Sequence, residues 1–528
     1  MRPYLLHIGF IITFGLLPSE VSSQTTDQKP NIIFILADDL GYGDVQALNP
    51  DSKIPTPHIN SLATQGVLFT NAHSTSSVCS PSRYSFLTGR YSWRTTRKKG
   101  VTWVWEGPMI EQGTYTIGQM LKSQGYTTAC IGKWHLGLDW PTKDGKPATL
   151  QNKGENVDYS KPIQNGPTAH GFDYYFGQEV PSFPPHAFIE NDMVNVEPTE
   201  HWPASQAGGI EGAMAPGWRY EDQMGTLTAK AVQFIKHQTL TDRKKPFFLY
   251  FPLSAPHTPI SPHEKFLGKT AVGRYGDFVF EMDYHIGSVI RLVDSLGISK
   301  NTLIIVTSDN GGVNEDGNKY VGAVGSLVKK YGHNSSNSLR GIKSDAWEGG
   351  HRIPFIVQWK GQVPKNVSSN ILISQVDMMA TFAAIAGVKL PEEVGEDSYN
   401  ILPMLKDPSR KNRREFLVTL SGNGILAIQK TDWKLILSSG GGGSWTEPKG
   451  GLPELVSNKD GEYWENVQLY NLKDDKGEKH NLASSNPKKV KVLMKILKNY
   501  IVNGRSTPGS AIPIKDLWKE VKWIEKVK

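Results

Sequence analysis

Two cysteines are present among 528 residues, and one of them, Cys79, has the surroundings of a nucleophile. Pro81 follows two positions later, where it can form the first turn of a helix without losing a backbone hydrogen bond. The N–H groups and positive dipole at the start of such a helix stabilise a bound anion. A redox-active or merely buried cysteine is the alternative, but neither needs Pro81 and Arg83 at this spacing. The segment therefore predicts nucleophilic chemistry on an anionic group.

Acidic and amide side chains end two apolar runs of the chain: Asp38, Asp39, Asp309 and Asn310. Oxygen ligands of this kind suit Ca²⁺ or Mg²⁺, whereas zinc prefers histidine or thiolate. Each pair alone would be ordinary in a loop or a helix cap, since Asp and Asn are common there. Together with Cys79, the two pairs predict a site for a hard divalent cation.

Lysines and histidines that are further candidates for the same site come later in the chain: Lys133, His135, His257 and Lys343. Lys133 and His135 follow the apolar run at 127–131, and the period of two in a strand would project both side chains to the same side. A single Lys or His is more often a surface or capping residue. Imidazole titrates in the range that general acid–base catalysis needs, so His135 and His257 are candidates for proton transfer.

The apolar runs before these side chains predict strands, and helical patterns alternate with them. The predicted strands are 31–36, 127–131, 247–251, 303–307 and 353–359. The predicted helices are 58–65, 117–124, 223–238, 277–296 and 376–386. This alternation indicates an α/β protein with a large, mostly parallel sheet flanked by helices on both faces. Because ligands bind at the carboxyl ends of such strands, we expect the polar side chains to meet there.

A shift in composition near residue 410 indicates a smaller second unit. Short strand-like segments follow it at 415–421, 424–429, 433–437 and 468–471, and a helical segment covers 487–502. This pattern predicts a small antiparallel sheet with a helix packed on it. We therefore divide the chain into a catalytic domain at 24–410 and a C-terminal α+β subdomain at 411–528.

The first 23 residues are typical of a secretory signal peptide. Arg2 precedes an apolar run at 5–17, and small residues at 21–23 offer a cleavage site. The run is shorter than the ~20 residues of a membrane span, and no later segment is apolar enough to span a membrane. Export with only Cys79 and Cys130 fits a bacterial periplasmic or secreted protein better than an animal one, in which disulfides are common. Cys130 lies in an apolar run and is expected to be a buried small hydrophobe.

The formal net charge of +7 favours polyanionic partners in general. No segment resembles a nucleic-acid-binding module, so no nucleic-acid partner is expected. The charge alone names no substrate.

The motifs around these residues, taken in order, resemble the type I sulfatases, which are formylglycine-dependent, arylsulfatase-like members of the alkaline-phosphatase-like superfamily. The resemblance runs from about residue 31 to about residue 502. Its most specific parts are the sequence from Cys79 to Arg83 with the Leu-Thr-Gly-Arg segment at 87–90, and Gly-Lys-Trp-His-Leu-Gly at 132–137. His257 matches the family's H-x-P histidine, and Lys343 matches the lysine before Glu-Gly-Gly. His351 departs from the small apolar residue that is common after those glycines, which puts only local packing in doubt.

The resemblance implies a hydrolase of sulfate esters, either aryl sulfates or sulfated carbohydrates. Cys79 would be oxidised to Cα-formylglycine by a formylglycine-generating or radical maturation enzyme. The hydrated aldehyde would attack sulfur and form a covalent sulfo-enzyme intermediate, which then breaks down as the aldehyde reforms. One Ca²⁺ would hold the sulfate oxygens, and its ligands would be Asp38, Asp39, Asp309, Asn310 and the modified Cys79.

The same resemblance implies the roles of the remaining side chains. Arg83 would position the hydrate, and Lys133 and Lys343 would hold sulfate oxygens. His135 would deprotonate the spare hydroxyl, and His257 would contact the substrate and protonate the leaving alcohol. Ser182 either contacts sulfate or is an ordinary loop serine.

Two alternatives stay open. One is a phosphodiesterase or phosphonate monoester hydrolase of the same superfamily, and the other is a non-catalytic protein that binds sulfated glycans. The substrate is not decided by the sequence, because specificity lies in loops. The segments at 100–108, 140–159 and 183–218 are expected to form the pocket rim, where Trp103 and Trp105 could stack on a sugar or aryl ring.

Overall fold

The computed structural model describes residues 28–204, 208–411, 414–448 and 466–512. The predicted signal peptide at 1–23 lies outside the described residues. Within them, no helix is both long and apolar enough to cross a membrane.

The strands of the described residues are, in chain order, β1 Asn31–Asp38, β2 Val67–Phe69, β3 Ala72–His73, β4 Thr127–Lys133, β5 Tyr174–Gln178, β6 Ile189–Glu190, β7 Met193–Val194, β8 Glu200–Trp202, β9 Gly212–Met214, β10 Phe247–Pro256, β11 Thr302–Ser308, β12 Phe355–Gln358, β13 Val367–Ser369, β14 Ile373–Ser374, β15 Phe416–Leu420, β16 Leu426–Lys430, β17 Trp433–Ile436 and β18 Gln468–Asn471. The α-helices are α1 Pro57–Thr64, α2 Cys79–Thr88, α3 Ile117–Ser123, α4 Gln223–Thr241, α5 Gly273–Ser295, α6 Ser326–Tyr331, α7 Glu348–His351, α8 Met378–Ala386, α9 Leu402–Lys406 and α10 Pro487–Val502.

The largest sheet has ten strands in the order β13-β2-β12-β11-β1-β10-β4-β5-β6-β7. β1 lies between β10 and β11 and is parallel to both, and β4 and β5 continue the parallel arrangement beyond β10. The carboxyl ends of these strands therefore meet at one edge. The predicted mixed, mostly parallel sheet is confirmed.

The predicted strand at 353–359 is real but shorter, and β12 runs antiparallel to β11. The chain reaches β12 from α7, which lies at the edge where β11 ends. A strand that starts at this edge has to run back across the sheet. The apolar run does not indicate whether this strand is parallel or antiparallel, because a strand that is buried on both faces has the same continuous apolar pattern in either direction.

Both faces of the sheet are buried, as the continuous apolar runs predict. Alternate residues of β1 contribute to two separate cores: Ile32, Phe34 and Leu36 to one, Ile33, Ile35 and Ala37 to the other. Helices α2, α3 and α8 pack on the first face, and α1, α4 and α5 pack on the second. Two helical layers therefore hold the strand ends in place.

The smaller sheet has the order β15-β16-β17-β18, with antiparallel neighbours throughout. Helix α10 packs on it through apolar residues at helical spacing: Val490, Leu493, Met494, Leu497 and Ile501. The end of β15 also continues along the segment that precedes Cys79, since Ser77 N donates to Leu420 O and Leu420 N donates to Thr75 O, at 3.0 and 2.9 Å. The small sheet thus supports the start of α2.

Candidate active site

The ends of β1 and β11 bring together the predicted metal ligands: Asp38, Asp39, Asp309 and Asn310. Ser308 cross-links the two ends, since its Oγ accepts a hydrogen bond from Leu40 N at 2.9 Å and donates to Asn310 O at 2.8 Å. Asp39 has a positive φ of 65° and its N–H donates to Asp309 Oδ1 at 3.1 Å. The turn after β1 is therefore shaped around the carboxylate of the neighbouring strand.

Cys79 is the first residue of α2, as the position of Pro81 predicts. Its Sγ lies 3.6 Å from Asp38 Oδ1 and is buried. Burial raises the pKa of the Cys79 thiol, so the unmodified side chain stays protonated at neutral pH. A protonated thiol is a poor nucleophile. The position suits a nucleophile, but the thiol itself does not.

Arg83 lies one helical turn after Cys79 and is fully buried. Its Nε and Nη2 donate to Asp309 Oδ2 at 3.1 and 2.8 Å, and its Nη1 donates to Lys133 O at 2.9 Å. A second contact, of 3.4 Å, joins Nη2 to Asp38 Oδ1. Arg83 thus links α2 to the ends of β1, β4 and β11.

Each predicted sulfate-binding lysine is paired with one of the first two aspartates. Lys133 Nζ lies 2.6 Å from Asp38 Oδ2, and Lys343 Nζ lies 2.7 Å from Asp39 Oδ2. Burial by itself raises the pKa of Asp38, but the charges of Lys133, His257 and Arg83 outweigh it and lower the pKa to about 2. The Asp39 carboxylate likewise raises the pKa of Lys343 although burial opposes this. Asp38 and Lys343 are therefore charged.

His135 lies beyond the end of β4 with a φ of 56°, so strand alternation does not explain its direction. Its Nε2 lies 2.9 Å from Thr102 O, a carbonyl that can only accept, so Nε2 carries the proton. Nδ1 is buried and has no partner among the described residues. Burial, followed by the charges of Lys133 and Arg83, holds the pKa of His135 well below its usual range. Nδ1 is therefore a free acceptor on a neutral ring.

His257 reaches the same place because β10 is longer than predicted and ends at Pro256. Its Nε2 lies 3.7 Å from Asp39 Oδ2, and its Nδ1 lies 2.6 Å from Thr258 O. Burial, followed by the charges of Lys133 and Lys343, lowers the pKa of His257.

The donor atoms at this edge fit a hard cation. Ligand atoms of Asp38, Asp39, Cys79 and His257 all lie within 4.8 Å of one another. Asn310 Nδ2 donates to Asp39 Oδ1 at 2.6 Å, whereas Asn310 Oδ1 is buried and has no partner among the described residues. A buried amide oxygen without a donor carries a desolvation cost that a cation would remove.

Ser182 is the predicted site residue that the structure does not connect to this cluster. Its carbonyl accepts a hydrogen bond from Ile210 N at 2.9 Å, and its side chain makes no hydrogen bond with the lysines or aspartates within the described chain. The neighbouring Phe183 ring lies 5.5 Å from that of Trp103, which is 43% exposed. Trp105, in contrast, is buried in a small core with Val157 and Val180. Of the two tryptophans, only Trp103 is free to stack on a ligand.

Two carboxyl groups at the site did not emerge from the sequence. Glu179 follows β5, and its Oε1 accepts a hydrogen bond from Gly137 N at 2.8 Å, while its carbonyl accepts from His135 N at 3.0 Å. Burial raises the pKa of Glu179 to about 7. Glu315, five residues after Asn310, is half-buried. The aromatic run at 174–176 could have indicated β5, but no motif marks Glu315.

His351, the departure from the family pattern, lies in a buried polar network that connects α7 with β3 and with β17 of the small sheet. Its Nδ1 lies 3.0 Å from His73 Nδ1, and its Nε2 lies 2.9 Å from Lys434 Nζ of β17. Lys434 also donates to Glu348 Oε1 at 2.9 Å. Where the family pattern has a small apolar residue, His351 therefore makes a polar contact with the small sheet.

A protein-family model described as Sulfatase matches residues 30–388. N-acetylgalactosamine-6-O-sulfatase of Bacteroides thetaiotaomicron is 34% identical over 519 residues, which cover 89% of this chain and 93% of that protein. N-acetylgalactosamine-6-sulfatase of Mus musculus is 29% identical over 473 residues, 86% of this chain and 82% of that protein.

A solved structure whose description concerns the metabolism of multiple glycosaminoglycans by Bacteroides thetaiotaomicron is 33% identical to this chain. The two superpose with a TM-score of 0.75, and the match covers 89% of this chain and 99% of that one. A sulfatase of Pseudoalteromonas sp. at 24% identity has a TM-score of 0.64 over 89% of this chain and 91% of that one, and shows the fold alone. The match to the family model and the relative at 34% identity confirm the family and the enzyme class. The chain belongs to the sulfatase family, whose members hydrolyse sulfate esters.

Proposed function

We propose that the protein removes sulfate from a saccharide with Cys79, oxidised to formylglycine, as nucleophile, one Ca²⁺ as cofactor, and a covalent sulfo-enzyme intermediate. The observation that carries this proposal is the position of Cys79 at the first turn of α2, with Sγ 3.6 Å from Asp38. The raised pKa of the thiol supports it, because the unmodified side chain would be a weak nucleophile there.

The proposed metal ligands are Asp38, Asp39, Asp309 and Asn310, completed by the modified Cys79. The ion would supply positive charge to the sulfate oxygens. Arg83 holds Asp309 and the end of β4, so it would orient both a ligand and Lys133. Lys133 and Lys343 would turn from their aspartates toward the sulfate oxygens.

The two histidines are proposed to move protons. His135 Nδ1 is an acceptor on a neutral ring, which suits removal of a proton from a hydroxyl at position 79. His257 would protonate the leaving alcohol through Nε2, which must first take up a proton from solvent, because Thr258 O accepts from Nδ1 and the pKa of the ring is lowered. Ser182 stays a prediction without a supporting contact.

We propose 6-O-sulfated N-acetylgalactosamine as the substrate. This rests on the names of the Bacteroides and mouse relatives, each of which aligns with more than four-fifths of this chain. Exposed Trp103 beside Phe183 supports a sugar ring as partner, since aromatic faces present an apolar surface to the C–H groups of a ring.

The proposal also includes export through the predicted signal peptide to the periplasm or exterior of a bacterium. It further includes maturation by a formylglycine-generating or radical enzyme. N-terminal sequencing of protein from the native host should find a start near Gln24. Retention of Met1 in a cytoplasmic fraction would contradict export.

The decisive experiment compares protein carrying formylglycine at position 79 with Cys79→Ser and Cys79→Ala. Oxidised protein should turn over, Cys79→Ser should stop after one sulfation because it lacks a second hydroxyl, and Cys79→Ala should remain unlabelled. Mass spectrometry of the peptide containing residue 79, with rates on 6-O-sulfated N-acetylgalactosamine, reads each outcome. Full turnover by protein with an intact thiol would favour a phosphodiesterase-type reaction, and binding without turnover by oxidised protein would favour a glycan-binding role.

A further inference from the structure

The main-chain amide groups of Thr102 lie between His135 and the helix that carries Cys79. Thr102 O accepts a hydrogen bond from His135 Nε2 at 2.9 Å, and Thr102 N donates to Ser80 Oγ at 3.0 Å. Ser80 directly follows Cys79 in the first turn of α2. Two hydrogen bonds through one residue of the main chain therefore connect the ring of the proposed base to the residue beside the proposed nucleophile.

This connection is closed to solvent. Ser80 and Thr102 are 0% exposed, and His135 is 4% exposed. A buried N–H group needs a partner within the protein, so loss of the Ser80 hydroxyl would force the main chain at Thr102 to shift. Hydrogen bonds in such a chain also strengthen one another by polarisation. Ser80 thus fixes both the position of Thr102 O and its strength as an acceptor.

The neighbouring contacts of the same loop lie nearer the surface. Arg97 Nη1 donates to Val101 O at 2.8 Å, and Trp103 N donates to Glu106 Oε2 at 2.9 Å. The side chains of Arg97 and Glu106 are 26% and 42% exposed, so water can compete for both contacts. Ser80, in contrast, holds the loop from its buried side.

We propose that Ser80 is a positioning residue, which fixes the main chain of Thr102 so that the His135 ring is held with Nδ1 toward the hydroxyl groups at position 79. This inference rests on the proposed function, in which Nδ1 takes the proton of the hydroxyl that does not carry sulfate. The O–H electron pair then forms the C=O bond of the aldehyde, and the C–O bond to sulfate breaks with its electron pair leaving on sulfate. Loss of Ser80 should slow this step more than the attack on sulfur.

The kinetic test compares Ser80→Ala with wild type and with Ser80→Thr, which keeps the hydroxyl. Because residue 80 adjoins the modified position, mass spectrometry first measures the formylglycine content, and rates on 6-O-sulfated N-acetylgalactosamine are expressed per formylglycine. Ser80→Ala should lower kcat about tenfold, with KM lowered in proportion, because kcat/KM reports the earlier attack on sulfur. Sulfate on residue 79 should accumulate during turnover. Ser80→Thr should restore wild-type values.

Ser85→Ala is the matched control, since Ser85 is a buried serine of the same helix whose hydroxyl donates to Pro81 O at 3.0 Å. It should leave kcat and the sulfated fraction of residue 79 unchanged. A fall in kcat/KM of Ser80→Ala without accumulation of sulfate would indicate a general disturbance of α2 and would overturn the proposal. An unchanged kcat per formylglycine would overturn it as well.

A second measurement needs no catalysis and uses protein that keeps the Cys79 thiol. Deuterium exchange at the imidazole C2 of His135, read by mass spectrometry of its peptide, should be faster in Ser80→Ala than in wild type. Ser80→Thr and Ser85→Ala should exchange as wild type does, and wild-type exchange in Ser80→Ala would contradict the positioning role. If wild type neither turns over nor carries sulfate on residue 79, the proposed function fails, whereas faster exchange in Ser80→Ala still shows that Ser80 positions His135.

Discussion

Lys343 and Asp39 form a buried ion pair, with Nζ 2.7 Å from Oδ2, and Lys133 makes the matching pair with Asp38 at 2.6 Å. Two carboxylates that are proposed to bind a metal thus each hold a lysine that is proposed to bind sulfate. Buried charges need partners, so these lysines neutralise the carboxylates when no metal does. Metal binding and sulfate binding should therefore be linked through the same four side chains.

Removal of the metal should abolish activity without unfolding the protein. After chelation, the lysines still compensate Asp38 and Asp39, so the far-UV circular dichroism spectrum should be unchanged. Added Ca²⁺ at about 100 times its dissociation constant should stabilise the fold by about 2.7 kcal/mol, which thermal unfolding measures. Restoration of activity by Zn²⁺ alone would show that the ligands have been misassigned, because an oxygen-rich site favours Ca²⁺ or Mg²⁺.

Lys343→Met should be unstable chiefly in the absence of metal. Removing one partner of a buried ion pair costs about 3–5 kcal/mol, since the other charge is left uncompensated. A cation bound to Asp39 would remove much of this cost. Chemical denaturation with chelator and with Ca²⁺ should therefore show a larger loss of stability under chelation.

The control for this prediction is Lys122→Met, which removes an exposed lysine that pairs with the partly exposed Asp173 at 2.8 Å. Surface pairs contribute about 0–1 kcal/mol, so its stability should change little and equally under both conditions. An equal loss for Lys343→Met with and without Ca²⁺ would mean that Asp39 does not bind the ion.

The sheet and the convergence of the site could be predicted because both follow from local pattern. Continuous apolar runs that end in Asp or Asn mark β1 and β11, and parallel neighbours place such ends at one edge. The end of β10 was underestimated because Pro252 and Pro256 interrupt a run that tertiary pairing still keeps extended. Sequence pattern thus located the strands better than their ends.

Features that depend on distant partners could not be predicted. The direction of His135 is set by Thr102, which lies 33 residues earlier and outside any motif. The rim was expected to expose both Trp103 and Trp105, but the packing of Trp105 against Val157 and Val180 depends on two separate loops. Glu179 and Glu315 have no local signal, since their chemistry arises from burial beside charges supplied by other strands.

The acid limb of the activity profile should lie below the ordinary histidine range. Burial and the nearby Lys133 and Arg83 charges hold the pKa of His135 well below 6.5, so the ring stays neutral at mildly acidic pH. In the unfolded chain the same ring takes up a proton near pH 6.5, so stability is lost as the pH falls below that value. His135→Asn should weaken this loss.

The measurements are kcat/KM against pH for wild type, and unfolding free energy against pH for wild type and His135→Asn. His480→Asn serves as control, because His480 is exposed and distant in sequence from the site. If the stability of His135→Asn depends on pH in the same way as that of wild type, His135 is charged in the native protein.

Glu179→Gln should become more stable than wild type as the pH rises. The native pKa of Glu179 is about 7, against 4.5 for an ordinary glutamate, so the native state holds a proton that the unfolded chain releases between these values. The contribution of Glu179 to the stability of wild type is therefore complete below pH 4.5 and is lost between pH 4.5 and about pH 7. The difference of about 2.5 pH units corresponds to about 3 kcal/mol, and Gln carries no such dependence while it keeps an oxygen for Gly137 N–H.

Unfolding free energies at pH 5 and pH 8 measure the change, with exposed Glu264→Gln as control. A difference between Glu179→Gln and wild type that does not grow with pH would mean that Glu179 is ionised in the native protein, paired with the charges of Lys133 and Arg83.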